Sequence, residues 1–354
     1  LFEAESIFLY GNNWNELWNK FISDKENVRA THLSGWRKVL TDTVAVKPVF
    51  FGLYNHTRHS FVAVLPGYIS RSLVYGRCFE SMPGGIIAEN MEYAEVLVKD
   101  LLKRFKQEGI NKLLIRGGNI TRKMECLPYI SLSERVHSWI NLEQGKDNLW
   151  KKIHKKHRYH IRLAERHGYK TEMLNEIPNE FYNIFVNHQH RLGTPALGPA
   201  LFKSINQYLS ETMRFFSVRD GDKLVAGAVI LTCLDHWESL YVAATVPARR
   251  QHAINILYWS FIQSAIDSGV RRFDLGRSVI NSGNHIFKKK WNAIDEIVIY
   301  RLLDLRAKPA RFENRLPVLK LSWIESWFPV LWRHLPLRVA VIAGPLLRRQ
   351  MPIG

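Results

Sequence analysis

Phe273-Asp274-Leu275-Gly276-Arg277-Ser278 and, a short way on, Phe287-Lys288-Lys289-Lys290-Trp291 gather a carboxylate, a guanidinium, a hydroxyl and three amines in one stretch. An apolar strand would deliver Asp274 and end at Gly276, whose backbone freedom permits a sharp turn. Arg277 and Ser278 then stand at the C-terminal mouth of that strand, where open α/β sheets take ligands. Phe287 and Trp291 would anchor the basic run and turn at least one lysine inward. Arg277 suits planar phosphate or carboxylate recognition, whereas a lysine supplies a point charge. The pattern predicts an anion site. The alternative is a surface loop with an ordinary basic run, in which Asp274 only caps the turn or pairs with Arg277.

Two other basic stretches stand earlier in the chain. A helix is predicted over 148–167, closed by Gly168, with Leu149, Trp150, Ile153, Ile161 and Ala164 on one stripe. Lys151, Lys152, Lys155, Lys156, Arg158, Arg162 and Arg166 cover much of the remainder, and Glu165 is the only acid inside. This is either a solvated face or, because its cations repel one another, a face that an anion offsets. His154, His157 and His160 stand three apart, but without a cysteine or nearby acid no metal site is expected. Arg249-Arg250-Gln251-His252-Ala253 leads into a helix over 254–268, whose N-terminus, reached by Asn255, offers N–H groups to a phosphate. An exposed basic turn is the alternative there. No glycine-rich cradle occurs, so a P-loop and a dinucleotide fingerprint are unsupported.

The elements that must position these residues alternate along the chain. Helix is predicted over 14–22, then a hairpin of strands 49–54 and 60–65, a loop at 82–85, a helix over 94–108 closed by Gly109, and a strand over 112–116. The second half continues with helices over 181–190 and 199–210 flanking the loop Gly193-Thr194-Pro195. Strands follow over 213–218, 225–233 and 239–244, then the helix closed by Gly269 and the strand 272–275. A helix ending in glycine, two residues and a strand occur in both halves, a hint of internal duplication.

Composition bounds the classes. At 354 residues, 46% apolar and 23% charged, the chain is globular and long enough for two cores. Cys78, Cys126 and Cys233 are too few and too scattered for a disulfide framework, which favours a reducing compartment, and no basic-then-apolar leader is visible. The apolar run 339–347 is too short to span a bilayer. The net charge of +18 is concentrated: residues 146–168 hold 8 Lys/Arg against 2 Asp/Glu, and 306–354 hold 9 against 2. Local concentrations argue for defined surfaces more than for general nucleic-acid binding.

Together these pieces resemble the FemAB-like branch of the GNAT acyltransferases, and within it the FemAB-related proteins of exosortase and exopolysaccharide loci. The matching pieces run in order: His32…Trp36-Arg37; Val64-Leu65-Pro66 with Gly84-Gly85; Trp150-Lys151-Lys152 through Arg158, Ile161-Arg162 and Gly168; Leu192-Gly193-Thr194-Pro195; Leu257-Tyr258-Trp259; Phe273–Ser278; Phe287-Lys288…Trp291; and Leu335-Pro336-Leu337 with Gly344-Pro345.

The resemblance implies an α/β (α+β) fold of two tandem GNAT-like domains, each a mixed twisted sheet flanked by helices. The expected boundaries are 1–145, a catalytic domain over 146–305, and a basic, Trp-rich helical tail over 306–354. It implies acyl or aminoacyl transfer to an amine of an anionic, phosphate-bearing acceptor, small or lipid-linked, of the cell envelope or exopolysaccharide. GNAT enzymes splay two central strands and bind the donor's pyrophosphate at the following helix, here 249–255. That place lacks the usual glycine-containing loop, and no coiled-coil arm for tRNA is visible, so the donor stays open between acyl-CoA and aminoacyl-tRNA. In this scheme Arg277 and one of Lys288–Lys290, Lys288 first, hold anionic groups or the oxyanion, and Asp274 orients Arg277 or accepts a proton. Lys152, Arg158, Arg162, Thr194, Arg249, Arg250, Asn255, Ser278, Lys289 and Trp291 bind substrate, with His32, Trp36 and Arg37 from the first domain. The expected location is the cytoplasm, at the inner face of its membrane, with Trp323, Trp327, Phe328 and Trp332 and the tail arginines against anionic lipid or packed on the second domain. Two non-enzymatic readings remain: a GNAT-like scaffold at a membrane polysaccharide complex, and a nucleic-acid-binding protein.

Overall fold

The computed structural model describes residues 4–9, 14–23, 25, 28–44, 46–72, 76–124, 129–233, 236–305 and 322–348. Cys126 and the tail segment 306–321 lie outside the described residues, as does the side chain of Trp323. The chain divides into two compact units. The first comprises Leu1–Leu132, Val298–Val330 and Ala343–Gly354, and the second Ser133–Ile297 and Leu331–Ile342.

The first unit runs β1 (Ala4–Leu9), α1 (Asn15–Ser23), α2 (Trp36–Thr43), β2 (Lys47–Asn55), β3 (Ser60–Ser72), β4 (Gly76–Ser81), β5 (Ile87–Ala88), α3 (Met91–Gln107), β6 (Lys112–Arg116) and α4 (Asn119–Lys123). Its sheet order is β1-β2-β3-β4-β6, with β5 on β3. The expected hairpin is β2–β3, its turn held by the Arg58 amide donating to Asn55 Oδ1 at 2.8 Å. Asn90 caps α3 by accepting from the Tyr93 amide, and Gly109 ends it at φ +66°, a conformation costly for any residue with a Cβ. Leu97, Leu101 and Phe105 of α3 are buried against Phe51, Leu65 and Phe79 of the sheet. Each such side chain contributes about 1.5–3 kcal/mol through removal from water.

The second unit runs β7 (Tyr129–Asn141), α5 (Lys146–Lys152), α6 (Lys155–Arg166), β8 (Lys170–Leu174), α7 (Phe181–Leu192), α8 (Ala200–Tyr208), β9 (Met213–Asp220), β10 (Lys223–Cys233), β11 (His236–Ala244), α9 (Val246–Arg250), α10 (Ala253–Asp267), β12 (Arg272–Val279), α11 (Gly283–Lys289) and β13 (Ile294–Asp304). Its sheet order is β7-β12-β11-β10-β9-β8. Of β13, Ile294–Ile297 belong to this unit; Tyr300–Asp304 lie in the first unit, where they pair antiparallel with β6. The tail carries α12 (Ser322–His334) and α13 (Leu337–Arg348). The second core gathers Leu149, Ile161, Phe216, Leu257, Phe261 and Phe273, with Phe261 and Phe273 stacked at 4.8 Å.

Each unit holds a parallel strand pair joined by a helix: β4-α3-β6 and β11-α10-β12. In both, the pairing lasts three residues, Cys78–Glu80 on Lys112–Leu114 and His236–Glu238 on Arg272–Asp274.

Three local expectations are corrected. The single helix over 148–167 is broken into α5 and α6. Ile153 is extended (ψ 133°), the His154 amide donates to Lys290 O at 2.9 Å, and the His154 ring caps α6 by accepting from the Lys156 amide. A tertiary hydrogen bond and a histidine cap thus outweigh helix propensity there. The strand 272–275 does not stop at Gly276 but runs to Val279, because β7 keeps pairing with it beyond an irregularity between Asp274 and Arg277. Arg249 and Arg250 lie in the short helix α9, whose cap is Thr245.

Candidate active site

Among the described residues the pairing of β11 with β12 ends at Glu238/Asp274, while the strands run on to Ala244 and Val279. The backbone edges of 239–244 and 275–279 are therefore not paired with each other. Gly276 makes the departure possible. It sits at φ +79°, and its amide donates to Asp274 Oδ1 at 2.6 Å. Asp274 is fully buried, and this bond lets it shape the backbone at Gly276. Its Oδ2 lies 3.7 Å from His137 Nδ1, on the strand that pairs with Arg277 from the other side. Glu238, also buried, is in register with Asp274.

Lys288 reaches into this opening from α11. It is 3% exposed, and its Nζ donates to Gly276 O and Arg277 O, each at 2.9 Å. An ammonium has three donors, so one N–H remains beyond these two bonds. Burial pushes its pKa down to about 8; Asp274 counters that shift, Arg277 adds to it, and Asp295 again counters it. Lys288 is thus a cation at neutral pH that gives up its proton more readily than a surface lysine.

The helix that aims Lys288 is pinned at its other end. Ser282 caps α11, and the His285 ring accepts from the Asn281 amide and donates through Nε2 to Asp295 Oδ2 at 2.9 Å. Ser138 and Lys289 also bind Asp295, at 2.8 and 3.3 Å. Burial alone would raise Asp295, but these three partners hold it below its ordinary range. Lys289 is therefore directed to Asp295 and to Ala293 O, away from the opening that Lys288 enters. Ser278, buried on β12, accepts from Asn284 Nδ2 at 3.3 Å.

His157 joins α6, α10 and α11. Its Nε2 donates to Phe287 O at 3.0 Å, its Nδ1 accepts from Asn255 at 3.1 Å, and its ring packs on Phe287 and Trp291. Burial drives its pKa down to about 4, so it is a neutral, fixed tautomer. Asn255 and Trp291 are buried in this junction. Of the basic residues on α5 and α6, Lys152 is exposed. Arg162 lies with its guanidinium carbon 5.9 Å from the Trp150 ring centroid, and Arg158 is half-buried with its Nε lacking a hydrogen-bond partner among the described residues.

Beyond the end of β11 a second cationic group forms that spacing did not reveal. Arg191, in the last turn of α7, donates from Nη2 to His188 Nδ1 at 3.0 Å, and its Nε is buried without a partner among the described residues. Burial and then Arg249 lower the Arg191 pKa, so the two guanidinium groups feel each other. Burial, Arg191 and Arg249 push His188 down to about 4, against a hydrogen bond to the Ala244 backbone. Two arginines brought together this way suit an anion. Thr194 lies half-buried just past α7, where Gly193 takes the left-handed conformation. The signal available in the sequence was the basic end of α7 beside Gly193.

Arg250 is exposed beside Arg249. The amides of Arg249, Gln251 and His252 already donate to Thr245 O, Pro247 O and Arg249 O. These three amides are therefore not available to a phosphate. His160 and His252 stack at 3.8 Å nearby, tying α6 to the start of α10. Among the described residues no group of three or more His, Cys, Asp or Glu could hold a metal ion.

His32, Trp36 and Arg37 fall in the first unit, and all three are buried. The His32 ring meets the Arg29 amide at 3.0 Å and Gly85 O at 3.2 Å, and its own carbonyl accepts from Trp18. Arg37 donates to Asn15 Oδ1 at 3.4 Å.

Residues 151–289 match the family model described as an acetyltransferase (GNAT) domain. No curated protein matches the chain in sequence. Among solved structures, FemX shares 13% identity at a TM-score of 0.66, covering 84% of this chain and 97% of that one. The C-terminal domain of a putative lysylphosphatidylglycerol synthetase from Agrobacterium fabrum shares 12% identity at 0.54, covering 81% and 90%. A tandem GNAT protein from the clavulanic acid biosynthesis pathway shares 9% at 0.52, covering 86% and 99%. Residues 151–289 thus match a GNAT-type acetyltransferase domain, and the chain is an acyltransferase with the tandem, FemAB-like GNAT fold.

Proposed function

We propose that the protein transfers an acyl or aminoacyl group to an amine on an anionic, phosphate-bearing acceptor of the cell envelope or exopolysaccharide, working at the inner face of the cytoplasmic membrane. The observation that carries this reading is Lys288: a buried ammonium, held by two carbonyls, beside strands whose pairing has ended. The donor's carbonyl lies between β11 and β12 in this reading. A neutral acceptor amine attacks it, forming the C–N bond, and the developing oxyanion takes the remaining Lys288 N–H and the charge of Arg277. The bond to the donor's carrier then breaks, and the carrier leaves with the electron pair and takes up the proton that the nitrogen sheds. Asp274 holds the turn that places the Gly276 and Arg277 carbonyls, and its charge keeps Lys288 protonated.

Arg191 and Arg249 take the acceptor's phosphate, with Thr194 and Arg250 beside them. Exposed Lys152 and half-buried Arg158 widen the basic surface on the α5–α6 side. The carrier is coenzyme A or tRNA. Transfer assays with radiolabelled acyl-CoA and aminoacyl-tRNA, each with a phosphate-bearing amine, test the reading. Arg277→Ala is expected to abolish transfer while leaving the thermal melt unchanged. Retained transfer would sink the assignment of the site.

A further inference from the structure

We infer that the surface formed by Leu331, Leu335, Val339 and Ile342 docks the protein onto an anionic lipid bilayer. The inference rests on the envelope-directed reading above and names the surface that brings the enzyme to its acceptor. Leu331 lies in the last turn of α12, Leu335 at the turn between the helices, and Val339 and Ile342, three apart, on one face of α13. All four are exposed, Leu331 by 55%, Val339 by 47% and Ile342 by 72%. The residue that α13 buries between them is Ala340, at 2%. An amphipathic helix packing on its own core does the reverse and turns its large aliphatic side chains inward. Here the helix seats a small residue on the protein and presents the aliphatic row to the outside.

The charges around the row point to one occupant. Residues 331–348 contain Arg333, Arg338 and Arg348 and no aspartate or glutamate. A segment of exposed aliphatic residues whose only charged side chains are cations has the composition of an interfacial segment on anionic lipid. No helix of the described residues is long and apolar enough to cross a membrane, so the contact lies at the surface. The row is also fixed in place. The Leu335 carbonyl meets His190 Nε2 at 3.0 Å, and Arg333 donates to Leu192 O at 3.2 Å. Both contacts end on α7, the helix that carries Arg191, so lipid docking holds that arginine at a set orientation to the membrane.

Co-sedimentation of the full chain with phosphatidylcholine vesicles, with and without phosphatidylglycerol, tests this without any transfer assay. The protein is expected to pellet with the anionic vesicles and to be released as salt rises. Ile342→Asp should weaken binding by more than about tenfold, and Val339→Asn gives the same direction without adding charge. Arg338→Gln should weaken it about fivefold. Unaltered circular dichroism certifies the fold of each variant. Failure to pellet with anionic vesicles, or pelleting unchanged by Ile342→Asp and Val339→Asn, overturns the proposal. A dimer in solution that Ile342→Asp dissociates, without lipid binding, also overturns it and assigns the row to a second copy of the chain. Lipid binding with no transfer activity instead upholds the surface and refutes the transferase reading.

Discussion

A buried ammonium is costly unless its protons are satisfied, and Lys288 offsets that cost with two backbone carbonyls at 2.9 Å. The remaining N–H is what gives the site an oxyanion donor in the proposed chemistry. Burial has brought the Lys288 pKa down to about 8, and the protonated form is the one the mechanism uses. Transfer should therefore fall as pH rises through about 8. Lys288→Met removes the charge without a large change in volume and is expected to lower kcat by about 10²–10³ at pH 7. The basic limb should vanish with it. A limb unchanged in Lys288→Met would assign the titration to another group.

At the scale of elements, the site depends on three helices meeting at His157. The ring donates to Phe287 O and accepts from Asn255, an arrangement only the neutral imidazole can make. Its folded pKa of about 4 lies below its ordinary value of 6.5. The unfolded chain therefore binds more protons between these values, so stability contributed here is complete above pH 6.5 and is lost as pH falls toward 4. The loss approaches the order of 3 kcal/mol by linkage. His157→Gln, which keeps a donor and an acceptor but does not titrate, should flatten that dependence. Urea denaturation between pH 7 and pH 4.5 measures it, and identical slopes for both proteins would refute the role. The same junction explains the break between α5 and α6. His154 gives its amide to Lys290 O, so the helix is interrupted where it meets the chain leaving α11.

At the scale of the whole molecule, both units use the same β-α-β arrangement but fill it differently. In the first unit Glu80, at the last parallel pair, accepts from Arg116, Tyr68 at 3.0 Å and Ser70 at 2.9 Å. Arg116 turns its amide to Ser81 Oγ, and its carbonyl accepts from Gly84. A closed ion pair thus stands at the last parallel pair of the first unit, where Glu238 holds the place of Glu80 in the second and Asp274 that of Leu114. Glu80→Gln would strand a buried guanidinium and should cost about 3–5 kcal/mol. The urea midpoint of the full chain should drop accordingly; an unchanged midpoint would show that the pair is not a structural keystone of this unit.

Periodicity and punctuation were enough to read the α/β alternation, the strands 112–116 and 213–218, the hairpin after Asn55 and the helices closed by Gly109 and Gly269. Those signals are local: apolar spacing and a left-handed glycine act within one turn or one strand. The stretch from Phe273 to Trp291 was legible as a basic strand-end segment for the same reason, with apolar anchors around a lysine. Its geometry was decided elsewhere. Which lysine turned inward followed from His285 and Asp295 pinning α11, and β12 outran Gly276 because β7 pairs with its far side. Arg191 and Arg249 are distant in sequence and meet only because α7 and α9 come together near Ala244, the end of β11. Sequence spacing reports the face a residue occupies on its own element; the partners across that face are set by sheet register and helix packing, which are properties of the folded chain.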